Sequence, residues 1–80
     1  MPVVYRHQDF KFFFYSNEGN PLEPAHVHVR SGGKEAKFWL SPNVAIARNH
    51  GFDARTMRML LELIKQNRKL MEDAWYDYFA

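Results

Sequence analysis

His26, His28 and Arg30 alternate along one β-prone segment, and their side chains are suited to acid–base and phosphate chemistry. Residues two apart on a strand point to the same side, with Cα atoms about 6.5–7 Å apart. Imidazole rings exchange protons near neutral pH and can serve as general base and general acid. A guanidinium group holds phosphate through paired hydrogen bonds. The row therefore indicates a surface for a phosphate-containing ligand.

The partners of this row follow from Gly32 and Gly33, which separate two β-prone segments, residues 25–31 and 34–40. Two glycines at this place predict a two-residue hairpin with a type I′ turn, which needs positive φ at both positions. The predicted pairs are Ser31–Lys34, Arg30–Glu35, Val29–Ala36, His28–Lys37, Val27–Phe38 and His26–Trp39. One face is then apolar, and the other carries His26, His28, Arg30, Glu35, Lys37 and Trp39. A slip of one residue would mix the two faces, so the pattern supports the register.

One interpretation of this polar face is contact with RNA or another phosphate ligand, as in a metal-independent ribonuclease. His26, His28, Arg30 and Lys37 are its candidate catalytic residues, because two imidazoles can transfer protons while two cations hold the phosphate. Trp39 and Glu35 are its candidate ligand contacts, with the indole ring available to stack on a base.

Two other interpretations stay open. The face can be an ordinary polar surface on which His26 stacks on Trp39. The two histidines can also chelate a divalent ion, but a third ligand is normally needed, and the candidates Glu23, His50 and His7 cannot be placed from sequence. The spacing matches no zinc-finger, cupin or histidine-triad motif, and we predict no bound metal or cofactor.

The rest of the chain predicts an α+β fold with four or five antiparallel strands. Residues 3–7, 9–15 and 44–47 are β-prone, and 49–51 suggest a loop. From Asp53, a predicted N-cap, apolar residues recur at spacings of three, four and seven, which indicates an amphipathic helix on one sheet face. Unbroken, this helix would overhang so small a domain. We therefore expect either a kink near Gln66 and Asn67 or an aromatic end that packs on another subunit.

That aromatic end favours a homodimer, because clustered exposed aromatic side chains mark contact surfaces. Its four members are Trp75, Tyr76, Tyr78 and Phe79.

The bulk properties indicate a single domain over residues 1–80. With 46% hydrophobic residues the chain has the apolar surface to fold, and with no cysteine it fits a reducing cytoplasm. We expect no membrane contact, since no apolar stretch approaches the length of a membrane helix. The net charge of +2 is compatible with nucleic-acid contact without demanding it.

Several motifs resemble the family known as domain of unknown function 4160. They are the Met1-Pro2 start, the segment from Pro24 to His28, Gly32-Gly33-x-Glu35-Ala36, the run from Asn67 to Leu70, and Trp75. Ala25 between Pro24 and His26 departs from the more common Pro-His-x-His. The resemblance implies a short bacterial protein encoded beside a small partner protein, with an association to toxin–antitoxin-like gene pairs. The alternative to RNA contact is a non-catalytic module that binds such a partner.

Overall fold

The computed structural model describes residues 2–17 and 23–79. It confirms the predicted α+β class, with a sheet followed by helices. The strands are β1 (Val3–His7), β2 (Phe10–Phe13), β3 (His26–Ser31), β4 (Lys34–Trp39) and β5 (Ala45–His50), and the helices are α1 (Ala54–Gln66) and α2 (Arg68–Phe79). None of the helices in these described ranges is long and apolar enough to cross a membrane.

The five strands form one antiparallel sheet in sequence order, β1-β2-β3-β4-β5. The six predicted pairs between β3 and β4 are confirmed, from Ser31–Lys34 to His26–Trp39. The predicted type I′ turn is wrong, because only Gly32 of the two turn glycines has a positive φ, at 60°. A single positive φ at the first turn position is the mark of a type II′ turn, which also joins two strands in this register.

Two predicted strand boundaries are also wrong. Asn49 and His50 belong to β5 rather than to a loop, because they pair with Ala36 and Glu35 of β4. Strand β2 ends at Phe13 rather than at residue 15. In both places the hydrogen bonds of a neighbouring strand, which local sequence does not show, decide where the strand ends.

The helical part begins and breaks at predicted residues. Asp53 caps α1 by accepting a hydrogen bond from the Thr56 N–H at 2.7 Å. Asn67 ends α1, with its own N–H bonded to the carbonyls of Leu63 and Ile64 and its side-chain amide donating to Leu63 O at 2.8 Å. The break confirms the predicted kink, and it folds α2 back so that the described chain has a radius of gyration of 11.6 Å.

Both helices contribute to the core on one side of the sheet, here called the covered face. Its strand residues include Phe12, Val27, Val29, Ala36 and Phe38, and its helix residues include Met57, Leu60, Ile64 and Met71. The apolar hairpin face predicted from sequence is therefore confirmed as core.

The aromatic end of α2 is only partly a surface. Trp75 is 4% exposed and packs against Phe14 and His26, with ring centroids at 5.3 and 4.7 Å. Of the two predicted alternatives the structure shows the kink, and α2 returns to the sheet instead of overhanging it, which buries Trp75. Tyr76 and Tyr78 remain exposed.

Candidate functional site

The sheet side away from the helices is the open face, and the strand registers define its members. Residues directly opposite each other in an antiparallel sheet lie on the same side. The first row across the sheet is Arg6, Lys11, Arg30, Glu35 and His50. The second row is Phe13, His28, Lys37 and Arg48, and the third is His26, Trp39 and Ala45.

Each strand places one cation on the open face. These cations are Arg6, Lys11, Arg30, Lys37 and Arg48, all exposed except the half-buried Lys37. Glu35 is the only acidic residue within the five strands. Among the described residues, no ion pair involves Arg6, Lys11 or Arg48. The open face therefore presents an excess of positive charge.

The two histidines of this face are not at its surface. The predicted six-residue surface is wrong for His26 and His28, whose exposed fractions are 0% and 2%. His28 lies under aromatic neighbours, with its ring centroid 5.7 Å from that of Phe13 and 4.6 Å from that of Tyr15. A phosphodiester docked on the folded chain cannot reach either imidazole.

His26 occupies the end of the sheet, where it orients aromatic side chains. Its Nδ1 lies 2.9 Å from the carbonyl oxygen of Pro24, which can only accept, so Nδ1 carries the proton. Its ring meets Trp39 edge-on at 5.6 Å and Trp75 at 4.7 Å. His26 thus joins the end of the open face to α2.

A hydrogen-bonded cluster surrounds Glu35 in the first row. The Tyr15 hydroxyl donates to both carboxylate oxygens at 3.0 and 2.9 Å, and Arg30 donates to Oε1 through Nε and Nη2 at 3.1 and 2.9 Å. His28 Nδ1 lies 3.7 Å from Glu35 Oε2. The predicted ligand contact Glu35 is therefore already engaged by side chains of its own chain.

The pKa values follow these contacts. Burial raises the pKa of Glu35, but the hydrogen bonds from Tyr15 and Arg30 outweigh it and lower the pKa overall. Burial and the bond to Glu35 raise the pKa of Tyr15, and the bond to Glu35 raises that of Arg30. The cluster therefore holds an ionised carboxylate beside a guanidinium.

Lys37 and Trp39 form the other notable group of the open face. The Lys37 ammonium lies 4.4 Å from the centre of the Trp39 ring and 3.2 Å from Glu23 Oε1. Trp39 also lines a depression of about 290 Å³ at this end of the face, here called the Trp39 pocket. Its lining residues are Pro24, Trp39, Ser41, Pro42, Asn43 and Ala45.

The metal-ligand candidates do not gather around the histidine pair. Over residues 2–17 and 23–79, no three His, Cys, Asp or Glu side chains form a group that could hold a metal ion. Glu23 contacts Lys37, and His50 lies exposed on β5 at the end of the first row.

Sequence reasoning missed three of the five cations. Alternation within β2 places Lys11 on the same side as Phe13, but it cannot connect that side to Arg30 on β3. Arg6 pairs with Lys11 in a regular register and was missed for the same reason, whereas Arg48 lies past a register shift between β4 and β5. Local alternation cannot be carried across such an irregularity, since each one shifts the side on which the following residues lie.

Fold and face together define a class: a small α+β protein with helices on one side of a five-stranded meander and a cationic open face on the other. A family model described as Domain of unknown function (DUF4160) matches residues 9–76. The chain belongs to this family, as its motifs predicted. No curated protein and no solved structure matches the chain.

Proposed function

We propose that the open face binds the phosphate backbone of RNA. The observation that carries this proposal is the placement of one Arg or Lys from every strand on one side of the sheet. Clustering of cations on one face is the electrostatic footprint of nucleic-acid binding, whereas a net charge of +2 spread evenly would give none.

The shape of the face favours RNA over the grooves of duplex DNA. Five strands spaced about 4.8 Å apart span roughly 19 Å between the outer strands. The major groove of B-DNA is about 12 Å wide and admits a helix or a two-stranded ribbon. A broad sheet with aromatic residues is instead a common platform for RNA.

The predicted site residues divide between two roles in this proposal. Arg30 and Lys37 bind phosphate together with Arg6, Lys11 and Arg48. His26 and His28 lie too deep to act as base and acid on a docked strand, so they support the face from below. The proposal is therefore one of binding, without a cleavage step.

The test is fluorescence polarisation with a labelled single-stranded RNA, compared between two double charge reversals. Lys11→Glu with Arg48→Glu changes the open face, and Arg58→Glu with Lys65→Glu changes exposed positions of α1. Both pairs take the net charge from +2 to −2. Circular dichroism melts check that both variants fold.

We expect the open-face pair to weaken RNA binding at least tenfold and the α1 pair to change it much less. Loss of two phosphate contacts should also flatten the slope of log affinity against log salt by about 1.4. If both double variants weakened RNA binding equally, the binding would depend only on the net charge of the protein and not on the open face. Failure of the unmodified protein to bind RNA would refute the proposal.

A second candidate function is protein interaction, favoured by the edge strand β5. Its residues are exposed except for Ala47, and Ile46 is 49% exposed on this edge, which pairs only with β4 among the described strands. Such an edge can accept a strand from another chain. The occupant we propose is the small partner protein of a toxin–antitoxin-type pair, encoded in a neighbouring gene.

Co-expression with the product of the neighbouring gene tests this candidate. We expect a complex of defined stoichiometry in size-exclusion chromatography with light scattering, lost in Ile46→Lys and kept in the control Leu70→Lys, which changes an equally exposed residue of α2. A homodimer would appear in the same measurement without the partner. Monomeric behaviour in both samples would refute the interaction role.

A further inference from the structure

We propose that the Trp39 pocket accepts one unpaired base of a single-stranded polynucleotide whose backbone lies along the cations of the open face. This inference rests on the proposed function and narrows its ligand to single strands. The pocket and the cations belong to one continuous surface, because Trp39 and Ala45 form the row next to Lys37 and Arg48.

The lining of the pocket suits a flat aromatic ring. The Trp39 indole offers a planar surface, Pro24 and Pro42 are rigid and apolar, and Asn43 contributes an amide. Stacking of a base on an aromatic side chain is favourable and tolerates any base, since every base has a π-face. The amide of Asn43 can donate to and accept from a base edge.

The size of the pocket limits what it can hold. The pocket has a volume of about 290 Å³. That is room for one base and lies just below the range of typical drug-sized ligand sites. A helix or strand of a protein partner would not fit.

Lys37 supplies the charge that a nucleotide in this pocket requires. Its ammonium lies over one face of the Trp39 ring, 4.4 Å from the centre, so a base stacked on the opposite face brings its own phosphate near Lys37. Glu23 now pairs with Lys37 at 3.2 Å and competes with that phosphate. His26 acts as a positioning residue, because its buried ring holds Trp39 edge-on from below.

Only an unpaired base can enter the pocket. In a duplex, the flat faces of the bases are stacked and their edges are paired, so extruding one costs free energy. The pocket therefore predicts discrimination between single strands and duplexes, which the cations alone do not provide.

The experiment compares four fluorescein-labelled probes of equal length in polarisation titrations. They are a single-stranded RNA, a single-stranded DNA of the same sequence, an RNA duplex, and an abasic phosphodiester chain that carries the charge without bases. Each probe is titrated with the unmodified protein, with Trp39→Ala, with Ala45→Leu and with the control Tyr76→Ala, which removes an exposed aromatic ring on α2.

We expect the unmodified protein to bind the single strands at least about tenfold more tightly than the abasic chain. Trp39→Ala and Ala45→Leu should bring that ratio close to one and leave abasic binding unchanged, whereas Tyr76→Ala should change neither. Ala45 is exposed, so Ala45→Leu fills the pocket and keeps the test valid even if Trp39→Ala unfolds. Comparison of the RNA and DNA arms shows whether the ribose hydroxyl contributes.

Tryptophan fluorescence gives an independent readout. Single-stranded probes should quench the emission, and Trp39→Phe should abolish the quenching, because Trp75 is buried in the core. Equal affinity of the unmodified protein for single-stranded, duplex and abasic probes would overturn the inference. If the double reversal of Lys11 and Arg48 still weakened the binding of every probe, the proposed phosphate-binding function would hold without the base-binding pocket. Absence of binding to every probe would refute both.

Discussion

The two faces of the sheet bury side chains in different ways. On the covered face, α1 and α2 close over an apolar layer that includes Phe12, Val29 and Phe38. On the open face, Phe13 and His28 do not belong to the core cluster that the helices join, yet both are also almost fully buried. There the cover comes from single side chains such as Tyr15, while charged residues form the rim.

The difference shows that the open face has a small interior of its own. Apolar packing needs no particular partner, but a buried imidazole and a half-buried carboxylate need hydrogen-bonding groups nearby. Tyr15, Glu35 and Arg30 form such a cluster beside His28. The covered face therefore supplies most of the stability, and the open face holds polar groups in fixed positions beneath a cationic surface.

The largest expected effect is on the covered face. Leu60→Ala removes a fully buried side chain and should lower the free energy of unfolding by about 3–4 kcal/mol, because the cavity adds to the lost burial. Urea unfolding followed by circular dichroism measures it. The exposed Leu70→Ala on α2 is the control and should cost less than about 0.5 kcal/mol. If Leu60→Ala and Leu70→Ala lowered the free energy of unfolding by similar amounts, Leu60 would not belong to the core as described.

On the open face, His28→Ala should cost about 2 kcal/mol, because it removes a ring packed between Phe13 and Tyr15 and withdraws a neighbour from Glu35. His50→Ala is the matched control, since His50 lies on the same face but is exposed, and it should be nearly neutral. The same unfolding assay applies. If His28→Ala left the free energy of unfolding unchanged, the buried side chains of the open face would contribute nothing to stability.

Glu35→Gln should cost about 1 kcal/mol near neutral pH and progressively less in acid. The folded-state pKa of Glu35 is lowered, so the carboxylate stabilises the fold above its unfolded pKa of roughly 4.3, and this contribution is lost as the pH falls through the folded value. Unfolding midpoints of both proteins across the acid range measure it. If the difference between the unfolding midpoints of the two proteins stayed constant below about pH 4, the ionised carboxylate would not be the stabilising group.

The smallest effect concerns Glu23, the acid that pairs with Lys37. Glu23→Gln removes a competitor for phosphate and should tighten RNA binding about twofold to threefold, because exposed ion pairs contribute less than about 1 kcal/mol. Polarisation titrations measure it, with Glu62→Gln, an exposed acid on α1, as the control. Weaker binding in Glu23→Gln would show that Glu23 orients Lys37 rather than masking it.

Local sequence patterns were enough to predict the architecture and the direction of the central side chains. The Gly32-Gly33 hairpin, its six pairs, the Asp53 cap and the break at Asn67 all follow from neighbours close in the chain. Such features depend on local backbone preferences and on alternation, which sequence shows directly. The family followed from motifs of the same kind.

Which of those side chains are accessible, and which cations lie together, depends on packing between distant parts of the chain. His26 is buried by Trp75 and His28 by Tyr15, and neither contact has a local signal. Arg48 reaches the open face past a register shift between β4 and β5 that no local pattern reveals, and Arg6 joins it through the pairing of β1 with Lys11 of β2. Alternation specifies the side of a strand on which a residue lies, whereas burial and charge clustering depend on segments that are distant in sequence and adjacent in space.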